Sequence, residues 1–153
     1  MMVALYQPDI PQNTGTILRM CACLGLSAAI IEPAGFLDSD RNFRRAGMDY
    51  LAHAATGRFA DWTAFDQWRR AEGRRLLLLT TKGSLPYLDF RYRSGDVLLA
   101  GRESAGVPAK VHEAADARLV IPLKPPMRSL NVAVAVAMLA GEAMRQLRPE
   151  PAS

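Results

Sequence analysis

The segment from Leu98 to Ala137, LLAGRESAGVPAKVHEAADARLVIPLKPPMRSLNVAVAVA, carries the most information about the architecture of this chain. Two short apolar strands each lead into a loop rich in glycine or proline, and the second loop leads into a helix of small residues. Gly101 and Gly106 have no Cβ, so another group can come close to the backbone of the first loop. Because ligands bind at the carboxyl ends of strands in open α/β sheets, we expect the two loops to form a binding site.

The second loop ends at the start of a predicted helix that runs from about Leu130 to Leu147. Ser129 and Asn131 stand where the N-terminus of that helix leaves backbone N–H groups unpaired, and such side chains are typical helix caps. A stripe of small residues along the helix would let another backbone approach closely. That backbone belongs either to the sheet of the same chain or to a second subunit, and the stripe favours a homodimer. The stripe comprises Ala133, Ala137 and Gly141.

The rest of the chain alternates between short apolar segments and helical patterns. This alternation predicts an α/β fold with a mostly parallel sheet and helices on both faces. The sequence shows no internal repeat and no linker, so we expect one domain over residues 1–153. The apolar segments typical of buried strands are Met2–Tyr6, Ala28–Glu32, Arg75–Thr80, Val97–Ala100 and Leu119–Ile121.

Three further helices are predicted upstream. The first runs from Asn13, its expected N-cap, to Leu24, with Gly25 as its stop signal. The second covers about 40–51, and the third runs from about 61 to 73. An aromatic stripe on the third helix is more typical of a core than of a surface that stacks on bases. The stripe comprises Trp62, Phe65 and Trp68.

A cluster of arginines occupies one side of the second helix. Arg41, Arg44 and Arg45 are neighbours at helical spacing with no acidic residue among them, so they repel one another. A bound phosphate backbone would relieve that repulsion, and the alternative is a solvated helix face screened by salt. The formal net charge of +4 permits a polyanionic partner without requiring one.

Several function classes lack their sequence signatures here. The chain has no G-x-G-x-x-G fingerprint after the first strand and no Walker A motif. Ser104 lies in Arg-Glu-Ser-Ala-Gly, which lacks the first glycine of a nucleophile elbow. Cys21 and Cys23 point to different sides of a helix, so we expect free thiols and no metal site. No apolar run resembles a signal peptide or a membrane span, so we expect a cytoplasmic protein with no membrane partner.

Six motifs, in matching order over a chain of matching length, resemble the SPOUT class of RNA methyltransferases. The likeness is greatest to the small single-domain enzymes that methylate the ribose 2′-oxygen of the wobble cytidine or modified uridine in certain leucine tRNAs. Relatives often continue the last motif with hydroxyl or amide side chains, whereas 132–134 read Val-Ala-Val here. The motifs are Pro11–Arg19, Arg44–Tyr50, Leu79–Gly83, Gly101–Pro108, Ile121–Pro122 and Arg128–Asn131.

The resemblance implies a deep C-terminal trefoil knot that holds S-adenosylmethionine between three loops. It also implies a homodimer with the cofactor sites near the subunit interface. No metal is implied, because the ribose oxygen attacks the sulfonium methyl group directly and S-adenosylhomocysteine leaves. By motif position, the residues that line the cofactor pocket are Leu79, Gly101, Ile121, Ser129 and Leu130.

The same resemblance assigns catalysis to Arg19, with Glu103 and Asn131 in supporting positions. A guanidinium essentially never loses its proton, so binding a phosphate and orienting the hydroxyl is chemically easier for Arg19 than acting as a base. The expected phosphate contacts are Lys82, Arg128 and the cluster of Arg41, Arg44 and Arg45.

Three functions stay open at this point. The first is S-adenosylmethionine-dependent 2′-O-methylation of the wobble ribose of leucine tRNAs. The second keeps the fold but moves the reaction to another RNA, such as ribosomal RNA, or to a base. The third is a non-catalytic RNA-binding or cofactor-sensing dimer. The presence of Arg19, Glu103, Ser129 and Asn131 disfavours the third.

Overall fold

The structure, a computed structural model, describes residues 1–149, so the last positions of the predicted domain lie outside the described range. Within that range, no helix is both long enough and apolar enough to cross a membrane. The strands are β1 (Met2–Tyr6), β2 (Ser27–Ile31), β3 (Thr56–Phe59), β4 (Leu76–Leu79), β5 (Leu85–Pro86), β6 (Val97–Ala100) and β7 (Ala117–Val120). The helices are α1 (Pro11–Leu24), α2 (Arg41–Gly47), α3 (Trp62–Ala71), α4 (Ala109–Ala114), α5 (Val132–Leu147) and a 3-10 helix, Met48–His53, after α2.

The seven strands form one sheet with the order β3-β2-β1-β6-β4-β7-β5, and its strand pairs are parallel. This confirms the predicted α/β fold with a mostly parallel sheet. The end of β4 is central, because Leu79 pairs with Ala100 of β6 on one side and with Leu119 of β7 on the other. The loops that follow these three strands therefore emerge side by side. The C-terminal trefoil knot stays a prediction of the resemblance.

Helices cover both faces of the sheet, as predicted, because the central strands are apolar on both sides. Ala4 of β1 packs with Trp62 and Phe65 of α3 on one face. Val3 and Leu5 belong to the other face, where α1, α2 and α5 lie. Phe65 is fully buried, and the prediction that the aromatic stripe is core is confirmed.

The first helix begins earlier than predicted. α1 starts at Pro11, a residue favoured in the first helical turn because it has no N–H and its φ already suits a helix. Ile10 occupies the N-cap position and provides no side-chain cap. Asn13 is therefore not the N-cap, and its side chain bonds elsewhere. The predicted stop at Gly25 is confirmed, since Gly25 adopts the left-handed conformation with φ 68°.

The second helix is shorter than predicted. Asp40 caps its N-terminus, but α2 ends at Gly47 instead of continuing to Leu51. The reason is Met48, whose φ of 52° and ψ of −147° are incompatible with an α-helix. The chain then continues into the 3-10 helix Met48–His53.

Prediction missed the short elements, which lack enough length to show a periodic pattern. These are β3, which lies at the sheet edge with a polar, glycine-containing sequence, the two-residue β5, and α4. β7 also begins earlier than predicted, at Ala117. The helix predicted from about Leu130 begins at Val132, and Asn131 is its N-cap.

Candidate active site

A cavity of about 540 Å³ lies at the carboxyl ends of β4, β6 and β7. Its volume is in the range of about 300–1,000 Å³ that is usual for small-molecule sites. All five residues that the resemblance assigns to the cofactor line this cavity: Leu79, Gly101, Ile121, Ser129 and Leu130. Sequence reasoning missed further lining residues from the same loops and from the start of α1: Ile10, Asn13, Thr80, Val107 and Leu123.

The loop after β6 folds back on itself beside the cavity. The Arg102 N–H donates to the Gly106 carbonyl at 3.0 Å, and the Gly106 N–H donates to the Arg102 carbonyl at 2.7 Å. A Cβ on Gly101 would lie 2.8 Å from the carbonyl carbon of Gly106, which is too close. Gly106 itself has a φ of 63°. The predicted close approach is confirmed, and the group that approaches Gly101 is the far end of the same loop.

A chain of side-chain hydrogen bonds connects three segments at the cavity. The amide of Asn131 donates to Asn13 Oδ1 at 2.9 Å, and the amide of Asn13 donates to Glu103 Oε1 at 3.4 Å. Asn131 Oδ1 also accepts from the backbone N–H groups at the start of α5. Glu103 and Asn131, two of the three predicted catalytic residues, are therefore joined through Asn13.

Asp9 holds the loop that carries Glu103. Its Oδ1 accepts the Glu103 backbone N–H at 3.1 Å, and its Oδ2 accepts the Ser104 hydroxyl. Arg102 adds a longer ion pair, with Nε 3.8 Å from Asp9 Oδ2. Sequence reasoning missed Asp9, although its place just after the carboxyl end of β1 is a recognisable signal for a site residue.

Asp9 and Glu103 form a carboxyl pair whose pKa values are shifted in opposite directions. The hydrogen bond with Glu103 and the bonds from Ser104 lower the pKa of Asp9 to about 2. Burial, together with the neighbouring Asp9, raises the pKa of Glu103 above its usual range. Glu103 Oε2 is buried and has no hydrogen-bond partner in the described residues. The structure thus holds one firmly ionised carboxylate next to a carboxylate that takes up a proton more readily.

The third predicted catalytic residue lies apart from this network. Arg19 is exposed and does not line the cavity. It stands about 9 Å further along the axis of α1 than Asn13, which does line the cavity. Within one chain, the structure therefore brings Glu103 and Asn131 together but does not bring Arg19 to them.

The residues predicted to contact phosphate are all exposed, and none of them lines the cavity. Three lie on α2, where Arg44 donates from Nε to the Asp38 carbonyl at 3.1 Å. The other two lie in the loops that follow β4 and β7. These residues are Arg41, Arg44, Arg45, Lys82 and Arg128.

Among residues 1–149, no three His, Cys, Asp or Glu side chains stand close enough to hold a metal ion. Cys21 is buried and Cys23 is exposed, and both are free thiols, as predicted.

The SpoU rRNA Methylase family matches residues 1–141 of the chain. The chain belongs to this family. A relative named tRNA (cytidine(34)-2′-O)-methyltransferase, from Beijerinckia indica subsp. indica, is 68% identical over 146 residues, which cover 95% of this chain and 91% of the relative. The resemblance drawn from the six motifs is confirmed.

Solved structures of similar proteins have the same fold. A protein described in terms of the 2-OH methylation of C/U34 on tRNA has a TM-score of 0.90 and 41% identity, over 95% of both chains. An AdoMet-bound rRNA methyltransferase from Sinorhizobium meliloti has a TM-score of 0.88 and 31% identity, over 97% of this chain and 57% of the other.

Proposed function

We propose that this SpoU-family protein transfers the methyl group of S-adenosylmethionine to the ribose 2′-hydroxyl of the wobble nucleotide of tRNA. The observation that carries the proposal is the meeting of Glu103, Asn131 and the Gly101 loop at one cavity. The names of relatives that share most of their length with this chain support the same reaction at position 34. Restriction to leucine tRNAs, with cytidine or a modified uridine at that position, follows from the motif resemblance.

The cavity suits S-adenosylmethionine. Leu79, Ile121 and Leu130 supply apolar walls for a flat base. Gly101 leaves backbone accessible beside them. The cofactor, when bound, supplies a methyl group on a positively charged sulfur. No metal is part of the proposal.

The residues of the chain then position the hydroxyl and take its proton. A bond forms between the ribose 2′-oxygen and the methyl carbon while the carbon–sulfur bond breaks, with its electron pair kept by sulfur. We assign the hydroxyl proton to the carboxylate of Glu103, which lines the cavity and whose raised pKa makes it a better base than an ordinary carboxylate. Asn131 and Asn13 orient that carboxylate.

The exposed arginines bind the RNA backbone in this proposal. Arg19 holds a phosphate near the target nucleotide and so orients the hydroxyl, since a guanidinium cannot act as the base. The cluster on α2, together with Lys82 and Arg128, grips further phosphates.

A homodimer completes the proposal. The outer side of α5 exposes the small or apolar residues Val134, Ala137 and Gly141, followed one turn later by Arg145, which pairs with Glu142. Of the predicted stripe, only Ala133 packs into the core of its own chain. Because α5 begins at the cavity, a dimer through this face keeps the cofactor sites near the interface. A cytoplasmic location stays a prediction.

The decisive experiment is methyl transfer from labelled S-adenosylmethionine to total tRNA from a strain that lacks this protein, followed by nucleoside mapping. We expect label in the 2′-O-methylated wobble nucleotide of leucine tRNAs. Arg19→Ala is expected to lose turnover and to keep cofactor affinity, because Arg19 lies outside the cavity.

Other outcomes point to other functions. Cofactor binding without transfer to tRNA would move the proposal to another RNA, with ribosomal RNA tested next. A wild-type protein that neither binds S-adenosylmethionine nor transfers its methyl group to RNA would contradict the proposed function altogether.

A further inference from the structure

Arg19 is held by two uncharged groups. Its Nη1 donates to the sulfur of Met48 at 3.1 Å. Its guanidinium carbon lies over the ring of Tyr50, 5.1 Å from the ring centroid, within the distance of a cation–π interaction. Two contacts from one short turn therefore restrict the position of this long side chain.

In the part of the chain that the structure describes, no carboxylate forms an ion pair with Arg19. Six arginines in the described residues do pair with carboxylates, as Arg58 does with Glu32 and Arg75 with Asp96. Within residues 1–149, Arg19 makes no such ion pair. An aromatic face and a thioether restrain a guanidinium without neutralising its charge, so the full positive charge stays available to an anion.

The fold builds this arrangement through close packing of α1 and α2. A Cβ on Gly15 would lie 2.9 Å from the Cβ of Ala46 and 2.9 Å from the backbone nitrogen of Gly47, so only glycine lets the two helices meet here. Met48 then ends α2 with its positive φ, and the 3-10 helix that follows places Tyr50 beside Arg19. The turn that ended the predicted helix early is the turn that reaches Arg19.

We propose that Tyr50 and Met48 are positioning residues, which hold Arg19 with its charge unneutralised so that it meets a phosphate of the RNA substrate. They act through Arg19 and do not contact the reacting atoms. This inference rests on the proposed function, because it assumes that Arg19 engages RNA.

The test is a double-mutant cycle between Arg19→Ala and Tyr50→Leu, read as the dissociation constant for tRNA and as kcat. Tyr50→Leu is expected to weaken tRNA binding by about twofold to fivefold, the size of an exposed cation–π interaction. It should lower kcat and leave the KM for S-adenosylmethionine unchanged. Tyr50→Phe keeps the ring face and should behave like wild type.

The cycle separates positioning from simple packing. In the Arg19→Ala background, Tyr50→Leu should cause no further loss of tRNA affinity, because the residue through which it acts is gone. Phe90→Leu is the matched control: it removes a ring 4.9 Å from the guanidinium carbon of Arg75, an arginine outside the cavity. We expect this variant to keep the tRNA affinity of the wild type.

Two results would overturn the inference: unchanged tRNA affinity in Tyr50→Leu, or additive losses in the double variant. The affinity cycle does not require turnover. A wild-type protein that binds tRNA but transfers no methyl group would therefore contradict the proposed function while the coupling between Tyr50 and Arg19 is still measured.

Discussion

At the scale of single residues, the carboxyl pair of Asp9 and Glu103 sets a pH dependence. Glu103 must be ionised to accept a proton, so activity should fall as the pH drops through its raised pKa. Asp9→Asn removes a negative neighbour and keeps an acceptor for the Glu103 N–H. The pKa of Glu103 should then fall, and the acid limb of the kcat profile should move to lower pH.

Glu103→Gln is the matched variant for this pH measurement. Loss of a general base typically costs about 100-fold to 10,000-fold in rate, and we expect a loss in that range with cofactor affinity largely kept. An acid limb that stays at the same pH in Asp9→Asn would show that Glu103 is not the group whose ionisation limits the rate.

At the scale of elements, the loop after β6 depends on the contact between Gly101 and Gly106. A methyl group on Gly101 would force the two backbones apart, because its Cβ would lie 3.0 Å from both the Cα and the oxygen of Gly106. Gly101→Ala should lower the free energy of unfolding by about 1–3 kcal/mol. It should also weaken S-adenosylmethionine binding at least about tenfold, as measured by titration calorimetry, since about 1.4 kcal/mol is tenfold in affinity.

Gly95→Ala serves as the control for that variant, because a Cβ there meets no atom within 4 Å. Its unfolding free energy should stay within about 0.5 kcal/mol of the wild type. Equal effects from the two substitutions would contradict the packing argument for the loop.

The second element with a testable role is α2. Replacing Arg44 and Arg45 together with alanine should weaken tRNA binding and make the plot of log affinity against log salt shallower by about one for each phosphate that the variant no longer binds. The control variant replaces Arg70 of α3 and Lys110 of α4 with alanine. It removes the same amount of charge from the opposite face of the sheet. If both pairs change the slope equally, α2 has no special role in RNA binding.

At the scale of the whole molecule, the exposed side of α5 predicts the assembly. A glutamate at Ala137 would bury an unpaired charge in the proposed interface, which is strongly unfavourable. Sedimentation equilibrium should find wild type as a dimer and Ala137→Glu with a dimer dissociation constant raised at least about tenfold. Ala109→Glu changes an exposed residue at the start of α4 and should stay dimeric. A monomeric wild type would contradict the proposal.

Strand bounds and helix caps could be predicted from the sequence because the residues that define each of them lie close together in the chain. The bounds of β1 and β6 match the apolar segments, and the caps at Gly25 and Asn131 follow from one residue each. A buried strand is recognised by its own apolar residues, and a helix cap by one suitable side chain. Neither signal depends on distant residues. The end of α2 at Met48 is also a local feature, but the sequence did not predict it, because a left-handed backbone conformation does not change the hydrophobic periodicity.

The site itself needed the tertiary structure. Asn13 meets Asn131 and Asp9 meets Glu103 although 118 and 94 positions separate the two members of each pair. Motif resemblance identified Glu103 and Asn131 but not Asp9, nor the distance of Arg19 from the cavity. The order of the strands in the sheet decides which loops meet, and no local pattern of side chains encodes that order. The chain alone therefore determined its longer strands and helices, their class of fold and its family motifs, whereas only the folded sheet decided which of those motif residues touch.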